Sequence, residues 1–415
     1  MTVGERRTVP GIAGVQLFPN FVSGYTPVAY AVVSGDGTDA AVEATGAGED
    51  TLVDADGTPR VRVVVTAPPS TNRPAFVAVD VGAQHACALT ADGAAYCWGA
   101  GGDSDWPRDA LHAAVSVPRC SYDGRLHSYS VGCTPLPVRV TGAPPLVSLD
   151  VGAYRTCGLT AVGASFCWGT GYGAAAPMDV GGPYVALGVG VMNADCGVRA
   201  DGSLVCVDAQ GVSRRLRADI LFDTLASSSS SAPSRACALD REGVAYCWGY
   251  GPLGDGVDRG TSSALDPVRV TGDVPFVTLA VGVGKTCALT ADGRPYCWGI
   301  GVPDATGQIP PNGVLVPTAV PTDLRFRSIA TTLSTCGLTA DGAAYCWDAG
   351  AFAPKFGSLR FRSLSLGLGL RASCGILTGG DAVCWGSNEY GLTGVGALSG
   401  TTEEPTRVAG QLSAP

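Results

Sequence analysis

Fourteen cysteines fall into seven pairs whose members stand ten positions apart: Cys87/Cys97, Cys157/Cys167, Cys196/Cys206, Cys237/Cys247, Cys287/Cys297, Cys336/Cys346 and Cys374/Cys384. Cys120 and Cys133 complete an even total of 16 and sit together in a longer intervening stretch. An even count at a fixed spacing points to disulfides ahead of buried free thiols. Zinc ranks last, because structural zinc knuckles need ligands about two to four residues apart and no such spacing occurs.

The text inside each pair says how its strands meet. CALTADGAAYCWG begins at Cys87, CALDREGVAYCWG at Cys237 and CALTADGRPYCWG at Cys287. In all seven copies the third residue of the central triplet is Gly: Gly93, Gly163, Gly202, Gly243, Gly293, Gly342 and Gly380. A three-residue hairpin loop places its last residue at positive φ, where Gly costs least. Centred on Asp92, such a loop sets Cys87 directly opposite Cys97, with Cα atoms about 4.5–5.5 Å apart and within disulfide reach. Each bond closes a short loop, so it contributes about 2–3 kcal/mol at most. Tyr96 and Trp98 project from the other face with Ala86 and Ala88. The residue facing the Tyr96 position is always tiny: Ala88, Gly158, Gly197, Ala238, Ala288, Gly337 or Gly375. Units stacked in a ring would press an aromatic face onto a disulfide face.

First-cysteine spacings run 70, 39, 41, 50, 49 and 38, so a unit near 40–50 residues repeats seven times, the first lengthened by an insertion. Before each hairpin lies an apolar strand, such as FVAVDVG at 76, LVSLDVG at 146 or FVTLAVG at 276. Ahead of that comes an outer segment, PVRVTG at both 137 and 267. Four short antiparallel strands, seven times over, predict an all-β fold, a seven-bladed β-propeller. The C-terminal EPTRVAG (404–410) is one more outer segment and is the expected latch of the first blade; RVRVVVTAPP at 60–69 is the alternative.

Composition agrees. With 59 Gly and 28 Pro in 415 residues, long helices are disfavoured. The 36 acidic against 27 basic groups, net −9, argue against general nucleic-acid binding. No apolar run approaches the roughly 20 residues of a membrane span. Residues 1–20 lack a signal peptide's apolar stretch, whereas the cysteines call for an oxidising compartment, so the expected location is extracytoplasmic or secreted. Only two of the basic residues are Lys, a bias expected of a high-GC bacterial genome.

The repeated CALTADGxxYCWG, its Gly-rich loop and PVRVTG resemble the regulator of chromosome condensation repeat, over about residues 74–415, and more narrowly the cysteine-paired form of bacterial secreted proteins. The resemblance implies a seven-bladed propeller. Members include a nucleotide-exchange factor for a small nuclear GTPase, a plant ultraviolet receptor and a bacterial β-lactamase inhibitor. The family's GxNxxGQLG loop survives only in fragments, WGSNEYGLTG at 385–394 and WGYGPLGDG at 248–256, and no exchange-factor residue can be carried over.

Residues 1–70 lie outside the repeat and read as a β-rich segment, in outline a partial immunoglobulin-like sandwich, with residues 71–415 as the propeller. The DxDG at Asp54–Gly57 reads as a plain turn, since it lacks a calcium loop's downstream glutamate. Residues 100–135 form an insertion in the first unit holding the pair Cys120/Cys133. Its Trp106, Arg108, Tyr122, Arg125, His127 and Tyr129 have the composition of an interaction hot spot and are the candidate partner-binding residues. The serine run 227–231 reads as a surface loop.

Catalytic signatures are missing. There is no Gly-x-Ser-x-Gly elbow or phosphate loop, and Gly282–Thr286 (GVGKT) reads as an inter-strand turn. The blade tryptophans read as core. No metal or cofactor is expected. The chain is expected to be a non-catalytic extracytoplasmic binding scaffold for a protein, or a glycan, engaged through its loop face. The alternatives are a GTPase regulator by resemblance, or an inhibitor or subunit of a secreted enzyme. A carboxylate pair lining the central channel would favour hydrolase chemistry, and a bare channel the binding module.

Overall fold

The computed structural model describes residues 74–100, 134–169, 182–190, 194–208, 211–228, 234–260, 262–347, 354–367, 372–388, 391–396 and 400–409 with their side chains. Seven antiparallel sheets of four strands follow one another as the blades of a propeller, the first carrying a fifth strand, Arg119–Ser121, at its outer edge. Blade 1 runs from an inner strand Phe76–Val81 through the hairpin strands His85–Thr90 and Ala95–Ala100 to the outer strand Ser130–Arg139. Blade 7 repeats this with Phe361–Ser365, Ser373–Leu377, Ala382–Ser387 and Thr401–Arg407. No α-helix occurs among the described residues.

The hairpins pair in the expected register. Cys87 faces Cys97 and Ala88 faces Tyr96, and the same pattern recurs at Gly158/Phe166, Ala238/Tyr246 and Gly337/Tyr345. All seven ten-residue cysteine pairs are disulfides. Their Cα atoms stand 4.1 Å apart in Cys87–Cys97 and Cys287–Cys297, and 3.9 Å in Cys196–Cys206. The distance is 4.0 Å in Cys157–Cys167, Cys237–Cys247, Cys336–Cys346 and Cys374–Cys384. Every pair is thus closer than the expected separation of about 4.5–5.5 Å, because the bridge draws the facing strands together.

Of the fourteen bridged cysteines, all but the partly buried Cys346 belong to the core. Cys206 is 8% exposed and clusters with Phe222 and Trp248 of blade 4. Cys297 is 3% exposed and clusters with Phe326 and Trp347 of blade 6. Cys206 and Cys297 therefore present no sulfur to a partner, and their role is to brace a blade and fill the space before the next one.

All seven tip glycines sit at positive φ, from 78° to 93°. The tiny residue opposite each aromatic has a specific purpose. A Cβ added at Gly337 would lie 2.4 Å from Phe326 Cδ1, and one at Gly197 2.5 Å from Tyr184 Cδ1. The space belongs to the ring that opens the same blade's inner strand.

Blades stack disulfide on aromatic. Cys87 and Cys97 of blade 1 pack with Leu146 and Trp168 of blade 2, while Phe76 and Trp98 of blade 1 pack with Cys374 and Cys384 of blade 7. Trp98, Trp168, Trp248, Trp298 and Trp347 are buried, as core residues should be, Trp385 is partly buried against the blade 7 cluster, and Val207 is buried in the same position of blade 3.

Two expectations about strand order are corrected. The outer segment does not precede its blade but completes the one before: Val138 of PVRVTG pairs with Cys97, and Val268 with Cys247. Leaving the third strand, the chain turns back alongside it, so sequential strands stay neighbours; the expected order would have required the outer strand to pass over the inner one. The C-terminal segment therefore completes blade 7, with Arg407 against Val383 and Thr406 against Cys384, and pairs with no strand of blade 1. The alternative latch is not formed either: Pro59–Val65 pairs with Gly48–Val53 in a sheet separate from blade 1. Every blade is built from consecutive strands, and the ring is shut by packing and hydrogen bonds instead of a shared sheet.

Candidate functional site

The inner strands surround a central cavity of about 360 Å³. Their fifth residues are Asp80, Asp150, Gly188, Ala226, Ala280, Ala330 and Ser365 in blade order. Five are small, which keeps the channel open; two neighbouring ones are carboxylates. The sequence reading missed this pair, although aligning FVAVDVG and LVSLDVG against the other inner strands would have exposed it.

Both carboxylates reach the following blade. Asp80 Oδ2 accepts from the Val151 amide at 2.8 Å, and Oδ1 accepts from its neighbour Val81 at 3.0 Å and from the Ser365 hydroxyl of blade 7 at 2.6 Å. Ser365 Oγ in turn accepts from the Val81 amide at 2.9 Å. Asp150 accepts from the Val189 amide of blade 3 and from Ser227 Oγ at 3.5 Å. Burial holds the Asp80 carboxyl above its usual range, opposed by those hydrogen bonds. Asp150 lies well above it, through burial first and then the charges of Asp80 and Asp195. A carboxylate pair does line the channel, but its oxygens are committed to inter-blade hydrogen bonds, so a general acid or nucleophile would first have to release them.

A second row of polar groups joins blades where the hairpins begin. His85 Nε2 and Thr156 Oγ1 are hydrogen-bonded at 2.7 Å, and Arg155 Nε pairs with buried Asp195 at 2.9 Å. Lys285 Nζ donates to the Leu333 carbonyl. The GVGKT segment is thus the expected turn, with its Lys facing the next blade. Burial pushes His85 down to about 4. Arg235, down to about 10, donates through Nη1 to the Pro252 carbonyl at 2.9 Å. His85, Thr156, Asp195, Lys285 and Arg235 are buried; the Arg235 bond stays within blade 4, and the others link neighbouring blades. The sulfurs of Cys157 and Cys167 lie within 4.8 Å of an Asp195 oxygen, but the disulfide leaves no thiolate for a metal.

The candidate residues Trp106, Arg108, Tyr122, Arg125, His127 and Tyr129, the Asp54–Gly57 turn and most of the serine run all lie outside the described residues, as do the side chains of Cys120 and Cys133, whose backbone lies in the strands Arg119–Ser121 and Ser130–Arg139. What the described ends do establish is where the insertion leaves the fold. It joins the third strand of blade 1 to its outer strand, at the end of the propeller where residues 251–262 and 300–313 make the equivalent connections in blades 4 and 5.

Residues 76–104 match the family model for the Regulator of chromosome condensation (RCC1) repeat. Among solved structures, human WBSCR16 aligns with a TM-score of 0.57 at 16% identity, covering 72% of this chain and 92% of that one. Prp20p of Saccharomyces cerevisiae, described with its binding properties to Gsp1p and histones, aligns at TM-score 0.47 and 20% identity over 80% and 76% of the two chains. The ectodomain of the Physcomitrella patens receptor kinase CR4 gives 0.46 and 22% over 74% and 71%. No protein of curated function matches.

Proposed function

For a chain built of regulator of chromosome condensation repeats, we propose the role of a non-catalytic binding scaffold that recognises a protein partner outside the cytoplasm. The carrying observation is the state of the channel. Its two carboxylates serve as clasps between blades, with Asp80 accepting from donors in three of them, so the most enzyme-like feature of the molecule is engaged in holding the ring together. What the fold then offers is a stiff ring with loops at one end, and the long insertion of blade 1 issues from that end. Seven disulfides fit an oxidising environment, which supports the extracytoplasmic placement.

The test is cross-linking of the oxidised protein to candidate extracellular partners, with a variant whose residues 104–130 are replaced by a short Gly-Ser linker and which also carries Cys133→Ser, so that no thiol is left unpaired. A partner captured by the parent and lost by the variant, at unchanged denaturation midpoint, supports the reading. Equal capture by both removes the insertion from the interface. Turnover of a substrate that is abolished by Asp80→Asn or Asp150→Asn would overturn the non-catalytic assignment.

A further inference from the structure

The face opposite the long loops carries a built-in display position. In blades 1, 3, 4 and 7 the second residue of the inner strand is a bulge, with two residues opposing one on the hairpin, and in blades 2, 5 and 6 the equivalent residue stands just ahead of the regularly paired strand. Val77 is skipped between the pairs Phe76/Thr90 and Ala78/Leu89, Val185 between Tyr184/Arg199 and Ala186/Val198, and Arg362 between Phe361/Leu377 and Ser363/Ile376. In blades 2, 5 and 6 the amide of that residue and its neighbour share one partner: Val147 N donates to the Leu159 carbonyl while Ser148 faces Leu159, and Val277 and Arg327 repeat this on Leu289 and Leu338.

A bulge re-aims one side chain away from the sheet. The residue before this position is buried in every blade, and the one at it is exposed. Around the ring the displayed residues are Val77, Val147, Val185, Asp223, Val277, Arg327 and Arg362. The first three are 41%, 63% and 53% exposed on consecutive blades, a cost in apolar surface that a plain solvent face does not require. The hairpin tip of blade 2 extends the same patch. Where the tips of blades 1, 3, 5 and 6 carry Asp92, Asp201, Asp292 and Asp341, blade 2 has Val162, 80% exposed. A Cβ on the adjacent Gly163 would touch Pro183 and Tyr184, so this tip lies beside Val185.

Next to the valines on the other side, blades 6 and 7 display arginines. Arg327 donates to the backbone carbonyls of Thr339 and Phe361, at 3.2 and 2.6 Å, while the neighbouring tip carboxylates are taken up by other arginines, Asp292 by Arg294 and Arg325 and Asp341 by Arg360. Arg362 is exposed beside it in the ring. The face thus joins an arc of exposed valines, in which the blade 2 tip carries Val162 and the blade 1 tip keeps Asp92 beside Val147, to an arc of arginines, on a chain whose net charge is −9.

We propose that the bulge ring is a docking surface for a polypeptide segment that carries large apolar residues followed by carboxylates, the apolar part lying on Val77, Val147, Val162 and Val185 and the acidic part on Arg327 and Arg362. This rests on the protein-binding reading, and names a second face for it, distinct from the loop end. Charge complementarity selects an acidic segment.

The experiment is selection of displayed random dodecamer peptides on the oxidised protein, followed by affinity measurement against Val147→Asp and Arg362→Glu, both at exposed positions. Recovered peptides should combine large apolar residues with Asp or Glu, lose roughly tenfold or more in affinity on either variant, and bind Arg362→Glu with a weaker salt dependence. Peptides that bind both variants unchanged, peptides of basic composition, or recovery of none would overturn the proposal; the loop-replacement experiment still decides the protein-binding reading. Binding to phosphatidylglycerol vesicles, lost in Arg362→Glu and with no peptide recovered, would assign the arc to a lipid surface and equally overturn it.

Discussion

The hydroxyl of Ser365 donates to the carboxylate of Asp80 across 2.6 Å, joining the last inner strand to the first over 285 positions of sequence. At the other blade junctions, the first residue of an inner strand also donates to the tip glycine of the preceding hairpin, as Leu146 does to Gly93 and Phe361 to Gly342. Trp98 Nε1 adds a bond across the seam to the Leu392 carbonyl at 2.9 Å. With no strand exchanged between ends, these side-chain bonds and the packing of Phe76 and Trp98 against the blade 7 disulfide close the ring.

Ser365→Ala should therefore weaken the seam locally. It leaves the Val81 amide without the hydroxyl and Asp80 with one donor fewer, at an expected cost of about 1–2 kcal/mol. Hydrogen exchange at Val81 should accelerate more than at Val281, which fills the same position in blade 5. Equal acceleration at both would remove Ser365 from ring closure.

His85 sets an acid limit. Its folded value near 4 lies below the ordinary 6.5, so the unfolded chain binds the proton more readily between those values. The contribution is fully present above pH 6.5 and is lost as pH falls towards 4, amounting to roughly 3 kcal/mol. His85→Gln should flatten denaturation midpoints across that window.

Asp150 acts in the opposite sense. Its folded value is raised, so the stability linked to its proton is present at low pH and is lost as pH rises through that value. Asp150→Asn keeps a carbonyl oxygen for the Val189 amide and removes the buried charge. The variant should be more stable than the parent in mildly alkaline buffer, by chemical denaturation, and the advantage should shrink on acidification.

Gly337→Ala tests the aromatic face. Its new Cβ would fall 2.4 Å from Phe326, a buried ring that also stacks on Trp347 at 5.5 Å between centroids. Overpacking of this kind costs about 1–3 kcal/mol. A combined Gly337→Ala, Phe326→Leu variant should recover part of the loss, and failure to recover any would place the strain elsewhere.

The disulfides should not open together. Cys346 is only partly buried, beside an outer strand of three residues, whereas Cys87 and Cys97 are fully enclosed between blades 1 and 2. Limited reduction followed by alkylation and peptide mapping should label Cys336 and Cys346 first, ahead of the more enclosed Cys196–Cys206 and Cys287–Cys297. Simultaneous labelling of all pairs would indicate that reduction requires global unfolding.

What could be read in advance was whatever neighbouring residues encode. The tip glycines set each hairpin's register, that register placed cysteine opposite cysteine, and alternation sorted Tyr96 and Trp98 onto the face away from the sulfurs. The GVGKT turn and the core role of the tryptophans were legible for the same reason. Asp80 and Asp150 were present in the inner-strand text but unremarkable within any single repeat; they stand out only when the seven strands are arranged around one axis.

The order of residues alone specified the blade: its hairpin, its disulfide, its two unlike faces and the number of copies. All of these depend on contacts a few residues apart, where turn geometry and side-chain alternation leave little choice. Which blade each outer strand completes, that the C-terminal strand stays in blade 7, and that the ends meet through Asp80 and Ser365 were decided only in the assembled ring. So was the gathering of exposed valines and arginines onto one face. Those outcomes rest on residues brought together from far along the chain, and no local pattern marks one distant partner over another, because the pairing follows from closing seven twisted sheets into a ring.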